Sequence, residues 1–582
     1  MTRLVEALIQ LDDARWLSLR NPVCTVQTGA IEQVQRAIAD MERLVRRNGY
    51  YAAGYLAYEA GGAFGLPARA GAGRDFPLVW FALFEPAQVQ EIESPPSEGG
   101  YELGPLSASF GRAAFDAAFA QVKHCLAEGQ SYQVNLTFRV RGPFRGDPRA
   151  LFADLVRAQG GRYSTFLDTG RHAICSASPE LFFERNGSEI AARPMKGTAR
   201  RGRTPAEDRT RRDELYSSAK QRAENVMIVD MVRNDLGKIA EVGTVRVPEL
   251  FSIERYPNVW QMTSLVTARS DAPLHELFAA VHPSASVTGA PKIRTTEILN
   301  ALEPEPRGVY TGAIGYVRPD GAARFNVAIR TAVVHRETGE MEFGIGSGIV
   351  WDSDAASEYD ECLLKGSVIV RRPVEFELLE TLAWTPAAGF MLLERHLARM
   401  QESAHHFGFA FSESSARAAL ANAVTAAAGS RRVRLLVQRT GAVRVEHEPL
   451  LPWEAGRMRV GLAAAAVDPS DVFLFHKTTN RAVYARARLD NMDDTILWNP
   501  RGEVTEATTA NLLVETERGE IVTPPIDCGL LAGTARAEEL ARGRVKEAVV
   551  TIDALRSARR LWLINSVHGQ REAVLVEHPS AS

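Results

Sequence analysis

The chain has few cysteines, no long apolar run and almost no net charge, and each of these absences excludes a class of protein. Its five cysteines are scattered without C-x-x-C spacing, so they predict a reducing cytoplasm and neither zinc nor a disulfide framework. The longest apolar runs, such as residues 78–84, are far shorter than a bilayer span, and we expect no signal peptide. A net charge of −3 gives no reason to expect nucleic acid or a membrane as a partner.

What the chain does have is length, because 582 residues are too many for a single core. Gly-rich strand-like segments alternate with long helical segments up to residues 367–375, and a new alternation starts at Phe376. We therefore predict a domain boundary near 371–374, with domains at 1–371 and 372–582. The Pro- and Gly-rich run 93–100 is predicted to be a surface loop.

One segment, Pro194-Met195-Lys196-Gly197, places a lysine between a proline that fixes φ and a glycine that frees the backbone. A lysine on a short shaped turn is a candidate nucleophile if burial and neighbouring cations lower its pKa. A lone P-x-K-G is also compatible with an ordinary solvated loop.

Acidic residues in two predicted helices are candidate metal ligands. The pattern predicts one helix over 206–237, which carries Glu224 and ends at Gly237, and a later helix with Glu358 and Glu361 on one face. Carboxylates from separated segments suit Mg²⁺, although spacing alone is equally satisfied by solvated acids. Other predicted elements are a helix at 113–127 and strands at 308–317, 325–334 and 341–350.

Several further motifs follow one another in an order typical of one family, over about residues 100–368. They are Ser131-Tyr132-Gln133-Val134-Asn135-Leu136, Ser178-Pro179-Glu180, Pro194-Met195-Lys196-Gly197-Thr198, Ala223-Glu224-Asn225 with Arg233-Asn234-Asp235-Leu236, Thr288-Gly289-Ala290-Pro291-Lys292, Tyr310-Thr311-Gly312-Ala313, and Gly346-Ser347-Gly348 with Glu358 to Lys365. In these motifs the chain resembles the chorismate-utilising enzymes, which include anthranilate, aminodeoxychorismate, isochorismate and salicylate synthases. The resemblance implies an α+β fold, a sandwich of two packed antiparallel sheets with helices outside.

The resemblance also implies Mg²⁺ and chorismate as ligands of this domain. Glu224, Glu358 and Glu361 would surround the metal, and Glu180 would be the general acid that helps the C4 hydroxyl leave. The positions implied to hold the substrate are Tyr310, Arg330, Gly346, Gly348 and Lys365, with Gln261 as a further pocket residue.

Within this family, Lys196 resembles the aminodeoxychorismate-forming members, whose lysine attacks C2 of chorismate before ammonia adds at C4. Gln133 stands where the water-adding members carry a lysine base, which argues against water as the nucleophile. No cysteine lies in a G-x-C-x-G elbow, so a separate glutamine amidotransferase subunit is implied as the ammonia source. Residues 11–15 fall where some relatives bind tryptophan, and we predict no tryptophan site there.

The second half carries another set of motifs: Phe475-His476-Lys477-Thr478, a strand-like run at 502–512 with Glu506 and Thr508 on one face, Gly533-Thr534 at a predicted helix start, and Asn565-Ser566 before Gly569. Helix N-termini and hydroxyls suit a phosphate, and a carboxylate suits a pyridinium nitrogen. The set resembles the fold-type IV pyridoxal-phosphate enzymes, which include branched-chain and D-amino acid aminotransferases and aminodeoxychorismate lyase.

This second resemblance implies that Lys477 forms the Schiff base with pyridoxal 5'-phosphate and that Glu506 meets its pyridine nitrogen. Arg399, Gly533, Thr534 and Ser566 would hold the phosphate, and Thr381 would face the substrate. Free-standing members usually begin with a longer lead-in than this chain has before Phe376. Completion of the small subdomain and formation of the usual homodimer therefore stay open.

Taken together, the two resemblances imply a cytoplasmic enzyme that aminates chorismate and then eliminates pyruvate to give 4-aminobenzoate, a folate precursor. Three alternatives remain at this point. The chain could be an anthranilate synthase fused to an aminotransferase, or a synthase with an aminotransferase-type second domain. In the third, the second domain is a non-catalytic regulatory or docking module.

Overall fold

The computed structural model of the protein describes residues 5–67, 69, 76–95, 99–370, 372, 374–451 and 456–576. The chain divides into two compact units, one of Met1–Arg200 with Arg211–Pro373 and one of Arg201–Thr210 with Val374–Ser582. Residues 201–210, which the predicted division gave to the first domain, thus pack with the second unit. Residues 371 and 373 of the predicted boundary and residues 96–98 of the predicted loop lie outside the described residues. No described helix combines the length and apolarity that a membrane crossing requires.

The first unit is built mainly of strands. In chain order they are β1 (Glu6–Gln10), β2 (Trp16–Arg20), β3 (Cys24–Thr28), β4 (Tyr51–Leu56), β5 (Val79–Phe84), β6 (Val89–Ile92), β7 (Tyr101–Leu103), β8 (Ser107–Ala108), β9 (Gln133–Gly146), β10 (Thr165–Asp168), β11 (His172–Ser176), β12 (Leu181–Asn186), β13 (Glu189–Arg193), β14 (Met195–Arg200), β15 (Arg246–Arg255), β16 (Val259–Arg269), β17 (Gly289–Ala290), β18 (Ala313–Val317), β19 (Ala323–Val327), β20 (Thr331–His335) and β21 (Glu340–Ile349). Its helices are α1 (Val34–Asn48), α2 (Arg112–Ala127), α3 (Pro148–Gln159), α4 (Pro205–Ser217), whose first residues belong to the second unit, α5 (Ala219–Gly237), α6 (Leu274–Val281), α7 (Lys292–Leu302) and α8 (Ala355–Gly366).

These strands form two antiparallel sheets that pack face to face, which confirms the predicted sandwich. One sheet has the order β17-β9-β21-β20-β11-β10-β1-β2-β6 and the other β14-β16-β13-β12-β19-β18-β4-β5-β3. Successive residues of β4 alternate between the two sides: Tyr55 packs between the sheets, whereas Leu56 packs toward the outer helices. Because both faces of each central strand are covered, these strands are apolar throughout.

Several predicted elements have different boundaries in the structure. The predicted helix 206–237 is interrupted at Ser218, whose hydroxyl caps α5 by accepting from the Gln221 N–H. The predicted strand 325–334 is two strands, because Arg330 between them has a positive φ of 53° that no regular strand accommodates. The predicted strand 308–317 begins only at Ala313, after a turn.

The second unit contains two smaller sheets with separate cores. Its strands are β22 (Leu378–Thr385), β23 (Gly389–Phe390), β24 (Arg431–Val437), β25 (Val443–Pro449), β26 (Met458–Leu462), β27 (Asp494–Trp498), β28 (Val504–Ala507), β29 (Asn511–Glu515), β30 (Ile521–Thr523), β31 (Lys546–Glu547), β32 (Arg560–Asn565) and β33 (Gly569–Leu575), and its helices are α9 (Leu393–Phe407), α10 (Glu413–Val424), α11 (Ala482–Ala487), α12 (Thr534–Ala541) and α13 (Ile552–Arg556). The sheet β23-β22-β24-β25 packs on α9 and α10, and the mixed sheet β28-β27-β26-β33-β32-β29-β30-β31 has its own core.

Candidate active sites

Lys196 lies on β14, the last strand of its sheet, and not on the turn that the sequence predicted. The pairing of β14 with β16 shifts register between Met195 and Thr198, where Gly197 has a φ of 101°. Glycine makes this bulge possible, because a residue with a side chain would be strained at that φ. The predicted shaping of the backbone around the lysine is therefore present, but it is achieved by a bulged strand.

Helix α5 contacts both the side-chain ammonium and the backbone carbonyl of Lys196. The Glu224 carboxylate lies 3.7 Å from the ammonium, and the Asn225 side-chain amide donates to the Lys196 carbonyl at 3.1 Å. Burial lowers the pKa of Lys196, and this effect outweighs the attraction of Glu224. A lysine with a lowered pKa has a larger neutral, nucleophilic fraction near neutral pH.

Gly348 and Gln133 border the Lys196 amine. A Cβ on Gly348 would lie 2.9 Å from Lys196 Nζ and 3.1 Å from Gln133 Nε2, so only glycine leaves this space open. The Gln133 side chain is fully buried, and its amide oxygen and nitrogen have no hydrogen-bond partner among the described residues. Buried amides rarely stay unpaired, so the position indicates a place for a polar ligand.

Arg330, Lys365 and Tyr310 are neighbours of one another, and the charge of Lys365 acts on Lys196. Lys365 donates to the Gly346 carbonyl at 3.0 Å, and an Arg330 N–H donates to the Lys365 carbonyl at 3.3 Å. Burial lowers the pKa of Arg330, with Tyr310 and Glu361 acting against it. Two cations and a phenol on one wall suit a dicarboxylate substrate.

Glu180 is buried directly before β12 and accepts a hydrogen bond from Ser286 Oγ at 2.7 Å. Burial raises the pKa of this carboxyl to about 7, although Ser286 and the charge of Lys196 oppose the rise. Glu180 also lines a small pocket, together with Asp235 and several apolar side chains. A carboxyl that is half protonated near neutral pH can act as a general acid.

The three predicted metal ligands surround the two pocket lysines and are not assembled as a metal shell. Glu224, Glu358 and Glu361 all act electrostatically on Lys196, while Glu361 pairs with Lys365 at 2.7 Å and Glu358 accepts from Ser347 Oγ. Within the described ranges, no three His, Cys, Asp or Glu side chains are grouped closely enough to hold a metal ion. The carboxylate oxygens have the chemistry that Mg²⁺ prefers, but in this arrangement lysine ammonium groups engage two of them.

Gln261, predicted as a pocket residue, supports the strand that carries Lys196. Its amide donates to the Gly197 carbonyl at 2.8 Å and accepts from Thr198 Oγ1 at 3.0 Å. A buried ion pair that the sequence did not single out also connects two of the motifs, because Lys292 Nζ lies 2.6 Å from Asp235. Both residues belong to motifs of the sequence, but spacing alone gave no signal that they touch.

The second unit places Lys477 after a 3₁₀ turn, Val472–Leu474, and fixes its backbone to β22. The Leu379 N–H donates to the Lys477 carbonyl at 3.0 Å. Burial, supported by the charge of Arg399, lowers the pKa of the Lys477 ammonium to about 8. Such a lysine loses its proton readily, as the amine of a Schiff base must.

Glu506 lies within electrostatic reach of Lys477 at the end of β28. Its carboxyl accepts from Tyr484 OH at 2.8 Å, from the Leu531 N–H at 3.1 Å and from the Asn511 amide at 3.1 Å, yet burial raises its pKa to about 7. A neighbouring pyridinium would favour the charged form. Thr508, predicted on the same strand face as Glu506, lies just beyond the strand, which ends at Ala507, and its hydroxyl donates to Asp494 at 2.5 Å.

Three of the predicted phosphate residues, Arg399, Gly533 and Thr534, lie at the start of α12, where Gly533 is the N-cap residue. A Cβ on Gly533 would lie 1.8 Å from Asn511 Oδ1, so no other residue fits. Arg399 donates to the Ala532 carbonyl at 2.9 Å, and Thr534 Oγ1 lies 3.2 Å from His396 Nε2. Ser566 and Thr381 also meet, since the Ser566 hydroxyl donates to the Thr381 carbonyl at 3.5 Å.

Glu380 organises this end of the site, and no sequence motif pointed to it. It is buried, and it accepts from both arms of Arg399, at 2.8 and 2.6 Å, and from His396 Nδ1 at 2.6 Å. Burial alone would raise its pKa, but Arg399 and His396 outweigh burial and lower the pKa to about 2. A buried amine, a buried carboxyl and a braced arginine at a helix N-terminus fit the donor set that pyridoxal phosphate needs.

Comparison with known families gives a match for each half of the chain. Residues 7–371 match the family of chorismate binding enzymes, and residues 377–575 match amino-transferase class IV. Aminodeoxychorismate synthase component 1 of Klebsiella aerogenes is 37% identical over 347 residues, which are 55% of this chain and 76% of the relative. Anthranilate synthase component 1 of Cereibacter sphaeroides is 36% identical over 48% of this chain and 56% of the relative.

A solved structure supports the fold. Anthranilate synthase component I from Streptococcus pneumoniae has a TM-score of 0.53 and 24% identity, and the match covers 62% of this chain and 92% of that one. The chain spans between 58% and 76% of the length of the first curated relatives that it matches, all of them aminodeoxychorismate synthase components. The first unit, with its paired sheets and its Lys196 pocket, therefore makes this chain a member of the chorismate binding enzyme family.

Proposed function

We propose that the chain is a bifunctional enzyme of 4-aminobenzoate synthesis, in which the first unit aminates chorismate and the second unit eliminates pyruvate from the product. The observation that carries the proposal is the occurrence of two largely buried lysines with lowered pKa values, one in each unit, in two chemically different settings. The family matches on the two halves of the chain support the same division of labour.

In the first unit, Lys196 Nζ attacks C2 of chorismate while the C4 hydroxyl leaves as water with the proton of Glu180. Ammonia then forms a bond to C4, and the bond between the lysine and C2 breaks, which restores the ring diene and the free amine. Arg330 and Lys365 pair with the substrate carboxylates, and Tyr310 borders them. The narrow space at Gly348 keeps C2 beside the amine.

Magnesium is the predicted cofactor of this step, and Glu224, Glu358 and Glu361 would hold it. When bound, it would neutralise the ring carboxylate. To bind the ion, Glu224 and Glu361 would have to turn away from Lys196 and Lys365, which would leave both lysines less strongly paired. Chelation of the metal should therefore abolish amination of chorismate and leave elimination from added aminodeoxychorismate unchanged.

In the second unit, Glu506 would meet the pyridine nitrogen of pyridoxal phosphate, while Arg399, Gly533, Thr534 and Ser566 would hold the phosphate. The cofactor, when bound, supplies an electron sink for the carbanion. Lys477 Nζ removes the proton from C4 of the substrate, and the enolpyruvyl group leaves C3 and becomes pyruvate by taking up a proton. Formation of the aromatic ring drives the elimination. Thr381 is the proposed substrate contact.

The ammonia source is proposed to be a separate glutamine amidotransferase subunit, with free ammonium as a weaker substitute. Cytoplasmic location and a homodimer remain predictions. Anthranilate synthesis is the competing activity, because relatives with that name are nearly as similar in sequence. Lys196 favours amination at C4, because the family resemblance associates a lysine at that position with C4 amination.

Product identification tests the proposal. Purified chain is incubated with chorismate, Mg²⁺, ammonium and pyridoxal phosphate, and the aromatic products are separated. Appearance of 4-aminobenzoate with pyruvate supports both activities. Accumulation of aminodeoxychorismate would contradict the lyase assignment, and 2-aminobenzoate would contradict the role given to Lys196. Keto-acid-dependent amino transfer would instead support an aminotransferase-type second unit.

A further inference from the structure

A short segment from the first half of the sequence is built into the second unit. This segment, Arg201–Thr210, is here named the strap. In the sequence it lies between Lys196 and Glu224, both of which belong to the first unit. The second unit is therefore not made only of the residues that match amino-transferase class IV, which begin at 377.

The strap is ordered by its own side chains. Arg201 and Asp208 form a bidentate pair at 2.8 and 2.7 Å, and both side chains are only 6% exposed. The Gly202 N–H donates to the same Asp208 carboxylate at 2.9 Å. A Cβ on Gly202 would lie 2.1 Å from the Asp208 N, so the turn closes only with glycine there. The strap thus presents a fixed backbone to its neighbours.

The carbonyl of Arg203 in the strap contacts His476, the residue immediately before Lys477. His476 Nε2 lies 3.1 Å from the Arg203 carbonyl oxygen, and its Nδ1 lies 2.9 Å from Ser403 Oγ. A carbonyl only accepts, so Nε2 carries the proton and Nδ1 accepts from the Ser403 hydroxyl. Both ring nitrogens of this buried histidine are therefore satisfied, and its orientation is determined from two sides.

Further contacts hold the strap against the same region. An Arg201 N–H donates to the His406 carbonyl at 3.0 Å, and the Arg203 guanidinium lies 5.2 Å from the centre of the Phe475 ring and donates to the Pro469 carbonyl at 3.3 Å. The His406 ring stacks on His476 with centroids 4.4 Å apart. Strap, helix α9 and the segment before Lys477 thus meet at one histidine.

We propose that His476 is a positioning residue for Lys477 and that the strap is the structural partner that fixes it. The Lys477 backbone is tied to β22 through its carbonyl, and its N-terminal neighbour is tied to the strap and to α9. Helix α9 also carries Arg399, so the same helix that presents the phosphate arginine orients His476 through Ser403.

Two substitutions of His476 separate the two hydrogen bonds. In His476→Gln the amide nitrogen lies near the position of Nε2 and can still donate to the Arg203 carbonyl. In His476→Asn the shorter side chain reaches Ser403 but not the strap. His447→Asn, at a more accessible position on β25, is the control for a histidine-to-amide change.

The first readout is tryptic cleavage of the cofactor-free full-length chain after Arg201 and Arg203, followed by mass spectrometry. We expect His476→Asn to be cut about threefold to tenfold faster than the parent chain, because one buried hydrogen bond to the strap is lost. His476→Gln and His447→Asn should be cut at the parent rate. Equal cleavage of all four proteins would overturn the proposal, as would equal acceleration in the Gln and Asn variants.

The second readout is the pH midpoint of the absorbance change of the pyridoxal phosphate chromophore in the full-length holoprotein. This readout rests on the proposed function, because it requires Lys477 to hold the cofactor. We expect the midpoint to move by about half a pH unit in His476→Asn and to stay in His476→Gln. An unmoved midpoint in His476→Asn contradicts a positioning role. If the parent chain shows no chromophore, the proposed function has failed, and tryptic cleavage still tests the strap.

Discussion

At both lysine sites of this chain, burial lowers the pKa of the amine, but the leading neighbouring charge is negative at one site and positive at the other. Burial lowers the pKa of both Lys196 and Lys477. Around Lys196 the leading charge is the Glu224 carboxylate, which stabilises the ammonium and keeps the shift in check. Around Lys477 the leading charge is the Arg399 guanidinium, which adds to the effect of burial. The comparison shows that desolvation increases the neutral fraction of each amine. The charges next to the amine then increase or reduce that fraction.

The surrounding backbone differs as well. Lys196 lies on a bulged strand at the edge of its sheet. Lys477 follows a 3₁₀ turn and is tied to β22, which suits a permanently bound cofactor. An amine that meets a new substrate in each turnover needs access, whereas an amine that carries a cofactor needs fixed geometry.

The largest expected effect comes from Lys477→Ala. Without the amine, no covalent attachment of pyridoxal phosphate is possible, and elimination from added aminodeoxychorismate should fall by more than about 10⁴-fold. Amination of chorismate should remain at the parent rate, measured as aminodeoxychorismate formed with ammonium. A matching loss of amination would show that the two sites are not independent.

Lys196→Ala should have the complementary effect. Loss of the nucleophile should slow aminodeoxychorismate formation by about 10³-fold, while elimination from added aminodeoxychorismate is unchanged. Lys220→Ala, an exposed lysine on the same helix as Glu224, is the control and should leave both activities intact. If both activities fell together in Lys196→Ala, the assignment of one lysine to each reaction would be wrong.

The pH dependence of amination should report Glu180. Burial raises the pKa of this carboxyl to about 7, and a general acid must be protonated, so kcat/KM for chorismate should fall as the pH rises through about 7. The hydrogen bond from Ser286 favours the charged carboxylate, so Ser286→Ala should move this limb to higher pH. Glu180→Gln should remove the limb and lower the rate by about 10²-fold. A limb that stays in Glu180→Gln belongs to another group.

Glu380→Ala tests whether the cofactor end of the second site depends on a buried ion pair. The substitution leaves Arg399 without its bidentate partner and should destabilise the unit by about 3–5 kcal/mol, measured by urea unfolding of the cofactor-free chain. Affinity for pyridoxal phosphate should weaken as Arg399 loses its orientation. Glu394→Ala, which removes an exposed carboxylate paired with Arg417, is the control and should have little effect. Equal stability of the two variants would contradict the bracing role of Glu380.

The smallest expected effect is that of Gln261→Ala. Its amide holds the bulged strand through the Gly197 carbonyl, so the change should slow amination by about threefold to tenfold. Gln261→His tests the predicted pocket role, because a substrate contact would alter the KM for chorismate more than kcat. An unchanged rate in Gln261→Ala would show that the bulged strand keeps its conformation without the Gln261 hydrogen bond.

Local patterns in the chain account for much of this architecture. The helix predicted at 113–127 and the strand predicted at 341–350 each lie within one residue of α2 and β21, because periodicity is a property of neighbouring residues. Contacts between residues that are distant in the sequence could not be predicted in this way. Ser286 beside Glu180 and Glu380 beside Arg399 are distant pairs in the sequence, and no spacing rule connects them. The strand-like run predicted over 502–512 is interrupted after Ala507, where the Thr508 hydroxyl donates to Asp494.

By itself the sequence determined the two-part organisation and the motif residues, because these depend on periodicity and on residue identity at short range. The α+β class followed from the family resemblance that the motifs carry. Only the tertiary structure decided which of those residues touch. It placed Lys196 on a bulged strand and paired Glu224 and Glu361 with two lysines. It also assigned residues 201–210 to the second unit. The physical reason is that burial and pairing depend on the packing of distant segments, and a linear pattern carries no information about the distance between them.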